Sequence, residues 1–166
     1  NELSRRGIKK TVVALVTQVV VNKDDPAFNN PTKFIGPYYY DEEEVKRLME
    51  EKGWVIKRDP RGGWRRVVPS PEPIDIVEKD VILRLLEQGT ICITVGGGGI
   101  PVIIEDGRYR GVEAVIDKDL ASSLVARIVK ADMLLILTDV DYVYINYGKP
   151  NEAPLRRITV EEAEKY

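Results

Sequence analysis

Apolar residues along the 166-residue chain alternate between continuous runs and a helical period. Residues 11–21 are nearly all apolar and β-branched, the pattern of a strand buried on both faces in the middle of a parallel sheet. From Asn22 to Pro37 three prolines, three asparagines and a glycine predict a long loop without regular structure. Asp41 can then cap a helix with Glu44 as its box partner; Val45, Leu48 and Met49 share one face, and Gly53 stops it. Residues 54–59 and 64–68 alternate like two strands around Pro60, Arg61, Gly62 and Gly63, which predicts a hairpin.

Beyond Pro73 the pattern becomes regular. Residues 78–88 are helical in period, with Val81, Ile82, Leu85 and Leu86 apolar and Gly89 as the stop. Residues 91–95 read as a short buried strand running into four glycines, and Cys92 as a buried core thiol within it. A hairpin over 101–105 and 108–112 turns at Asp106 and Gly107. A helix over 119–130 turns Leu120, Leu124, Val125, Ile128 and Val129 inward, and residues 133–137 form the next strand. The expected fold is α/β: a mainly parallel sheet sandwiched by helices, with 23–73 as an inserted, protruding α+β subdomain. Residues 1–22 then supply a helix end and a core strand, and 74–166 an α/β core carrying the nucleotide side.

Composition narrows the function. Twenty-five Lys and Arg against 27 Asp and Glu leave a net charge of −2, so there is no basic excess for nucleic acid. The absence of histidine removes Ser-His-Asp and Cys-His nucleophile activation and His-ligated metals. A single cysteine excludes a disulfide framework within the chain. No apolar run approaches the length of a membrane span, and no signal peptide opens the chain, so a cytoplasmic setting is expected. Charge-rich, glutamine-poor usage resembles heat-adapted proteins. Both ends read as interrupted: Glu2 to Gly7 looks like a closing helix, and the Thr159–Glu162 capping box opens a helix that stops at Tyr166. A segment of a longer protein is the expectation.

In open α/β sheets ligands bind beyond the carboxyl ends of strands, which selects three places. Gly96, Gly97, Gly98 and Gly99 can turn backbone N–H groups toward one anion, although the loop is neither a Walker A nor a dinucleotide fingerprint. Asp117, Lys118 and Asp119 open a helix, where a lysine adds full charge to a positive helix end. Alone, they read first as an N-cap aspartate beside a surface lysine. Thr138, Asp139 and Val140, with Asp141 and the rings of Tyr142, Tyr144 and Tyr147, could border a nucleotide or merely start a turn. Lys33 lies in the long loop, where it reads first as a solvated lysine but could be delivered over the site. Arg65 and Arg66 point to opposite faces of a strand, so at most one faces a site.

At these residues the chain resembles the carbamate kinases of the amino-acid-kinase superfamily. The glycine loop, Asp117-Lys118-Asp119 and Thr138-Asp139-Val140 are superfamily-wide elements; DDPAFNNPTK (24–33) and WRRVVPSP (64–71) resemble the protruding subdomain of carbamate kinases. The resemblance implies Mg²⁺-dependent, reversible phosphoryl transfer between ATP and carbamate, giving ADP and carbamoyl phosphate. It implies that Lys118 bridges the donor and acceptor phosphates, Asp119 orients lysines, and Lys33 reaches the transferring phosphoryl group. It also implies that Gly96 to Gly99 and Asp117 bind the carbamate or carbamoyl phosphate side. Thr138, Asp139, Val140, Tyr144 and Tyr147 would border the nucleotide, Mg²⁺ would ride on phosphate oxygens with no metal-binding side chains, and the protein would form a homodimer. Family members are roughly twice this long and carry a further phosphate loop and lysine, so the chain alone is expected to be nearly inactive. Tyr142 stands where many relatives have glycine. Rival readings are another amino-acid kinase or a non-catalytic nucleotide- or anion-binding module.

Overall fold

The computed structural model describes residues 2–166, which fall into two compact units, the first ending at Leu134 and the second spanning Leu135–Tyr166. In chain order the first unit contains α1 (Glu2–Arg5), β1 (Val12–Ala14), β2 (Gln18–Val21), β3 (Lys33–Tyr39), α2 (Glu42–Lys52), β4 (Ile56–Arg58) and β5 (Trp64–Val68). It continues with β6 (Pro73–Ile76), α3 (Lys79–Glu87), β7 (Ile91–Ile93), β8 (Ile100–Glu105), β9 (Arg108–Gly111) and α4 (Lys118–Ile128). The second unit holds β10 (Val143–Ile145), antiparallel to β11 (Ala153–Leu155), and α5 (Val160–Lys165), which opens on the expected Thr159–Glu162 capping box.

The run over 11–21 forms two strands in two sheets instead of one. β1 pairs in parallel with β7, whereas β2 sits between β6 and β8 in a four-stranded sheet ordered β6-β2-β8-β9. Its pairing with β8 is parallel and that with β6 antiparallel. Between the two strands residues 15–17 belong to neither, with Val16 76% exposed while Val19 is fully buried. Apolar character alone does not show such a break, because every residue around it but Thr17 and Gln18 fits a buried strand.

Val19, Val21, Ile76, Ile82, Val95, Ile103, Ile116, Ala121 and Leu124 form the main core, between the four-stranded sheet and the inner faces of α3 and α4. Only Ile82 of α3 is buried, and Leu120 of α4 is 49% exposed, so the inward stripes are narrower than the sequence periodicity predicts. Glu78, just ahead of α3, does not cap it. Its carboxylate instead accepts from the Gln18 backbone N–H (2.8 Å) and side-chain amide (3.1 Å), tying the helix start to β2.

The segment expected to protrude builds its own small sheet, β3-β5-β4, with α2 packed through Val45 and Leu48 on Ile56, flanked by Tyr39, Trp54 and Trp64. The β4–β5 hairpin turns where expected. The long loop over 22–37 is shorter than predicted, because a 3₁₀ turn at Pro26–Asn29 and β3 take up much of it. Pro37 is tolerated on β3 because the register with β5 is interrupted between Ile35 and Tyr39. Asp41 caps α2 by accepting from the Glu43 N–H at 2.9 Å, without the reciprocal Glu44 contact of a capping box. Gly53 closes the helix at φ +63°.

Residues 133–137 do not form the expected strand. They find no ladder partner among the described residues, and Met133, Leu135 and Leu137 are 78%, 74% and 87% exposed. A strand exists only through its hydrogen-bonded neighbour, so an apolar run without one stays extended and unassigned. β7 is likewise more open than predicted: Ile93 is 57% exposed and Cys92 half-buried. No helix of the described residues is long and apolar enough to cross a membrane.

Leu48→Ala is expected to destabilise the first unit by about 2–4 kcal/mol, because it hollows a core of only three buried side chains. Urea denaturation followed by tryptophan fluorescence checks this, since Trp54 and Trp64 border that core.

Candidate active site

The glycine loop lies between β7 and β8, the sheet strands aligned with β1 and β2. Ala14 faces Ile93, and the next aligned pair is Gln18 with Ile100. Three residues on one side, Leu15 to Thr17, therefore span six on the other, Thr94 to Gly99, and the surplus bulges out as the loop. Val95 enters it with φ +45°, buried at 6% exposure, a conformation a β-branched residue adopts only under constraint. The Gly98 N–H donates to the Val95 carbonyl (2.8 Å) and the Gly99 N–H to that of Gly96 (3.2 Å).

The four glycines divide into two pairs. A Cβ on Gly98 would stand 2.1 Å from the Ile116 carbonyl oxygen, and one on Gly99 2.5 Å from Val19 Cγ2, so these two are required by packing. Gly96 and Gly97 are exposed, with open space where a Cβ would stand, and their N–H groups have no hydrogen-bond partner among the described residues. The sequence treats all four as one cradle; in the structure the outward-facing pair carries the free donors an anion needs.

Gly98 rests on Ile116, one residue before Asp117, so the loop and the start of α4 are neighbours. Asp117 caps the helix, accepting from the Asp119 N–H at 2.9 Å and the Leu120 N–H at 3.3 Å. Its other oxygen receives Lys33 Nζ at 2.6 Å, across 84 residues of sequence. β3 begins at Lys33, so the small sheet delivers the ammonium to the head of α4. That ammonium, assisted by the two helix amides, holds the Asp117 carboxyl below the usual carboxylate range against the opposing cost of partial burial. Lys118 projects outward, 69% exposed at its side chain, with Nζ 3.6 Å from an Asp119 carboxylate oxygen.

A model of the amino acid kinase family matches residues 32–166. The chain belongs to the amino acid kinase family. It is 56% identical over all 166 residues to the carbamate kinase of Pyrococcus furiosus and equally so to that of Staphylococcus haemolyticus, covering 52% and 53% of those proteins. The chain thus spans about half the length of the curated relatives it matches. Among solved structures, a protein from Aeropyrum pernix K1 superposes with a TM-score of 0.86 at 49% identity, over 99% of this chain and 53% of that one. The Giardia lamblia carbamate kinase bound to AMP-PNP superposes at 0.77 with 43% identity, over 93% and 49%. These likenesses agree with the α/β fold and with the resemblance read from the sequence.

Of the expected site residues of this family member, the structure brings together Lys33, Asp117, Lys118, Asp119 and the glycine loop. Arg65 and Arg66 do face opposite ways. Arg65 contacts Asp59 at 3.3 Å and lies 4.8 Å over the Tyr38 ring, while Arg66 pairs with Glu113 and lies 4.5 Å over Trp54. Thr138, Asp139, Val140, Tyr144 and Tyr147 belong to the second unit. Thr138 Oγ1 lies 3.4 Å from an Asp139 oxygen, and the Tyr144 ring is 5.7 Å from that of Tyr147 and 6.4 Å from that of Tyr142. Tyr144 also lines an open groove of about 680 Å³ with Leu155, Ile158 and Tyr166. Tyr142 lies under the Arg156 guanidinium, 5.4 Å from its ring centroid. Thr17, which the sequence does not single out, is buried and bonded to the glycine loop. Its signal is a hydroxyl inside an apolar run.

Two outcomes follow from this geometry. Gly98→Ala is expected to destabilise the protein far more than Gly97→Ala, which should cost about 1 kcal/mol for its left-handed backbone, as differential scanning calorimetry will show. Because the folded Asp117 carboxyl titrates below its unfolded value, its contribution to stability is complete at neutral pH and disappears as pH falls through the folded value. Melting temperatures taken downward from pH 6 should fall more steeply below about pH 4 for wild type than for Asp117→Asn.

Proposed function

We propose that a protein carrying this chain at the length of its relatives is a carbamate kinase, transferring phosphoryl groups reversibly between ATP and carbamate. The observation that carries this reading is the 56% identity to carbamate kinases over every residue, including the segment that brings Lys33 to Asp117. Carbamate is already an anionic oxygen nucleophile, so the reaction needs no general base and a site without histidine suffices. What it needs is positive charge held in place where phosphate charge shifts.

This chain's residues are arranged for that work. Gly96 and Gly97 offer free N–H donors to the carbamate or carbamoyl phosphate side. Lys118, at the positive end of α4, lies beside the transferring group, and the nearby Asp119 limits its side-chain freedom. Lys33, held by Asp117, supplies a second cation from the small sheet that covers the substrate, residues 23–73. Thr138, Asp139, Val140, Tyr144 and Tyr147 border the adenine nucleotide. No group of three or more Cys, Asp or Glu side chains suited to a metal gathers among the described residues. Mg²⁺, whose chemistry is charge neutralisation, would be carried by phosphate oxygens. The protein acts as a homodimer in the cytoplasm.

ATP formation from ADP, Mg²⁺ and carbamoyl phosphate tests the reading. Robust turnover is expected in the protein of full family length, and Lys118→Ala should reduce kcat by roughly 10²–10³-fold. Turnover with another acyl phosphate but not with carbamoyl phosphate would move the assignment to a different amino-acid kinase.

A further inference from the structure

Thr17 is buried to 4% exposure between β1 and β2, and both its hydroxyl and its carbonyl are engaged there. Its Oγ1 accepts from the Val95 N–H at 3.0 Å and donates to the Leu15 carbonyl at 3.1 Å. Its carbonyl accepts from the Ile100 N–H at 2.8 Å. One residue thus grips the six-residue bulge at both ends, at Val95 where it leaves β7 and at Ile100 where it rejoins the sheet. Gly99 passes so close that a Cβ there would stand 3.1 Å from the Thr17 carbonyl oxygen.

The grip falls where the backbone is least content. Val95 holds φ +45°, which a β-branched residue keeps only where its surroundings hold it: here a buried side chain, a carbonyl bonded by Gly98 and an N–H bonded by Thr17. The next two N–H groups belong to the exposed Gly96 and Gly97 and have no hydrogen-bond partner among the described residues. The Gly96 N–H belongs to the peptide that follows Val95, so the Val95 torsions set its direction, and the Gly97 N–H follows one residue further on.

We infer that Thr17 is a positioning residue for anion binding: its buried hydroxyl locks Val95 in the left-handed conformation that aims the Gly96 and Gly97 amides at the phosphoryl or carboxylate group of the substrate. This deepens the proposed carbamate kinase reading and rests on it. Thr17 touches no substrate; it acts through the loop. If the hydroxyl is removed, the competent loop becomes a minor conformer, and apparent affinity falls by that fraction.

The test is steady-state kinetics of the full-length protein with Thr17→Val, which keeps the shape and loses the hydroxyl, and Thr17→Ser, which keeps the hydroxyl. Thr17→Val should raise KM for carbamoyl phosphate roughly tenfold while KM for ADP changes less than twofold, and Thr17→Ser should recover most of the loss. A drop in kcat with KM unchanged, as partial unfolding gives, overturns the inference, and so does a Thr17→Ser variant as impaired as Thr17→Val. If Thr17→Val does not fold, Thr17→Cys, with a weak sulfur acceptor of similar size, takes its place; failure of both to fold overturns the inference. If wild type makes no ATP, the carbamate kinase reading falls, and inorganic phosphate decides the role of Thr17 through the amide resonances of Gly96 and Gly97. A roughly tenfold weaker phosphate titration in Thr17→Val then sustains that role. Equal titrations, or no response in wild type, overturn it.

Discussion

The glycine loop and the approach to α4 meet backbone to backbone, with no space between Gly98 and the Ile116 carbonyl for even a methyl group. The rest of the site depends on that contact. It places two free amides beside the first turn of a helix whose own dipole favours anions, and it makes Asp117 both the end of that contact and the cap of the helix. A side chain at Gly98 would push the loop away from α4. The Lys33–Asp117 pair would then deliver its ammonium to a helix end no longer next to the loop.

The sequence makes this legible wherever a feature is local. Asp41 and Gly53 mark the ends of α2, Thr159 and Glu162 box the start of α5, and Asp106 with Gly107 turns the β8–β9 hairpin, because caps and turns are decided by neighbouring residues. The errors fall where a feature depends on a distant partner. Residues 11–21 divide into two strands because β7 and β8 stand on either side of a bulge, a fact that lies some 80 residues further on. Residues 133–137 have strand-like composition but no strand beside them, and strand formation is a property of pairs.

The site shows the same division. Gly96 to Gly99 and Asp117 to Asp119 stand out as short motifs, and their proximity follows from the strand-end rule for α/β sheets. That two glycines serve packing and two stay open could not be read, since the difference lies in Ile116 and Val19, which are unremarkable in sequence. Lys33 stands out only through family resemblance, because nothing local distinguishes a loop lysine that meets Asp117 from one in solvent. Thr17 marks itself only as a hydroxyl inside an apolar run, and what that hydroxyl does shows when its partners are seen.

The two lysines near the head of α4 illustrate a balance between field and position. A lysine left alone presents its full charge but spreads it over many rotamers, whereas one paired with a carboxylate gives up part of that field for a fixed location. Lys33 is close to the second extreme, 2.6 Å from Asp117, and Lys118 nearer the first, exposed and 3.6 Å from Asp119. Asp117 also spends charge on two helix amides, so it weakens Lys33 less than a free carboxylate would. For phosphoryl transfer, where charge must be met at a defined place and water rearrangement is costly, fixed cations are worth more than mobile ones. On the proposed carbamate kinase reading, one cation is anchored through a separate small sheet and the other stays exposed and more loosely held. On that reading, a chain without histidine would take position from the first lysine and reach from the second.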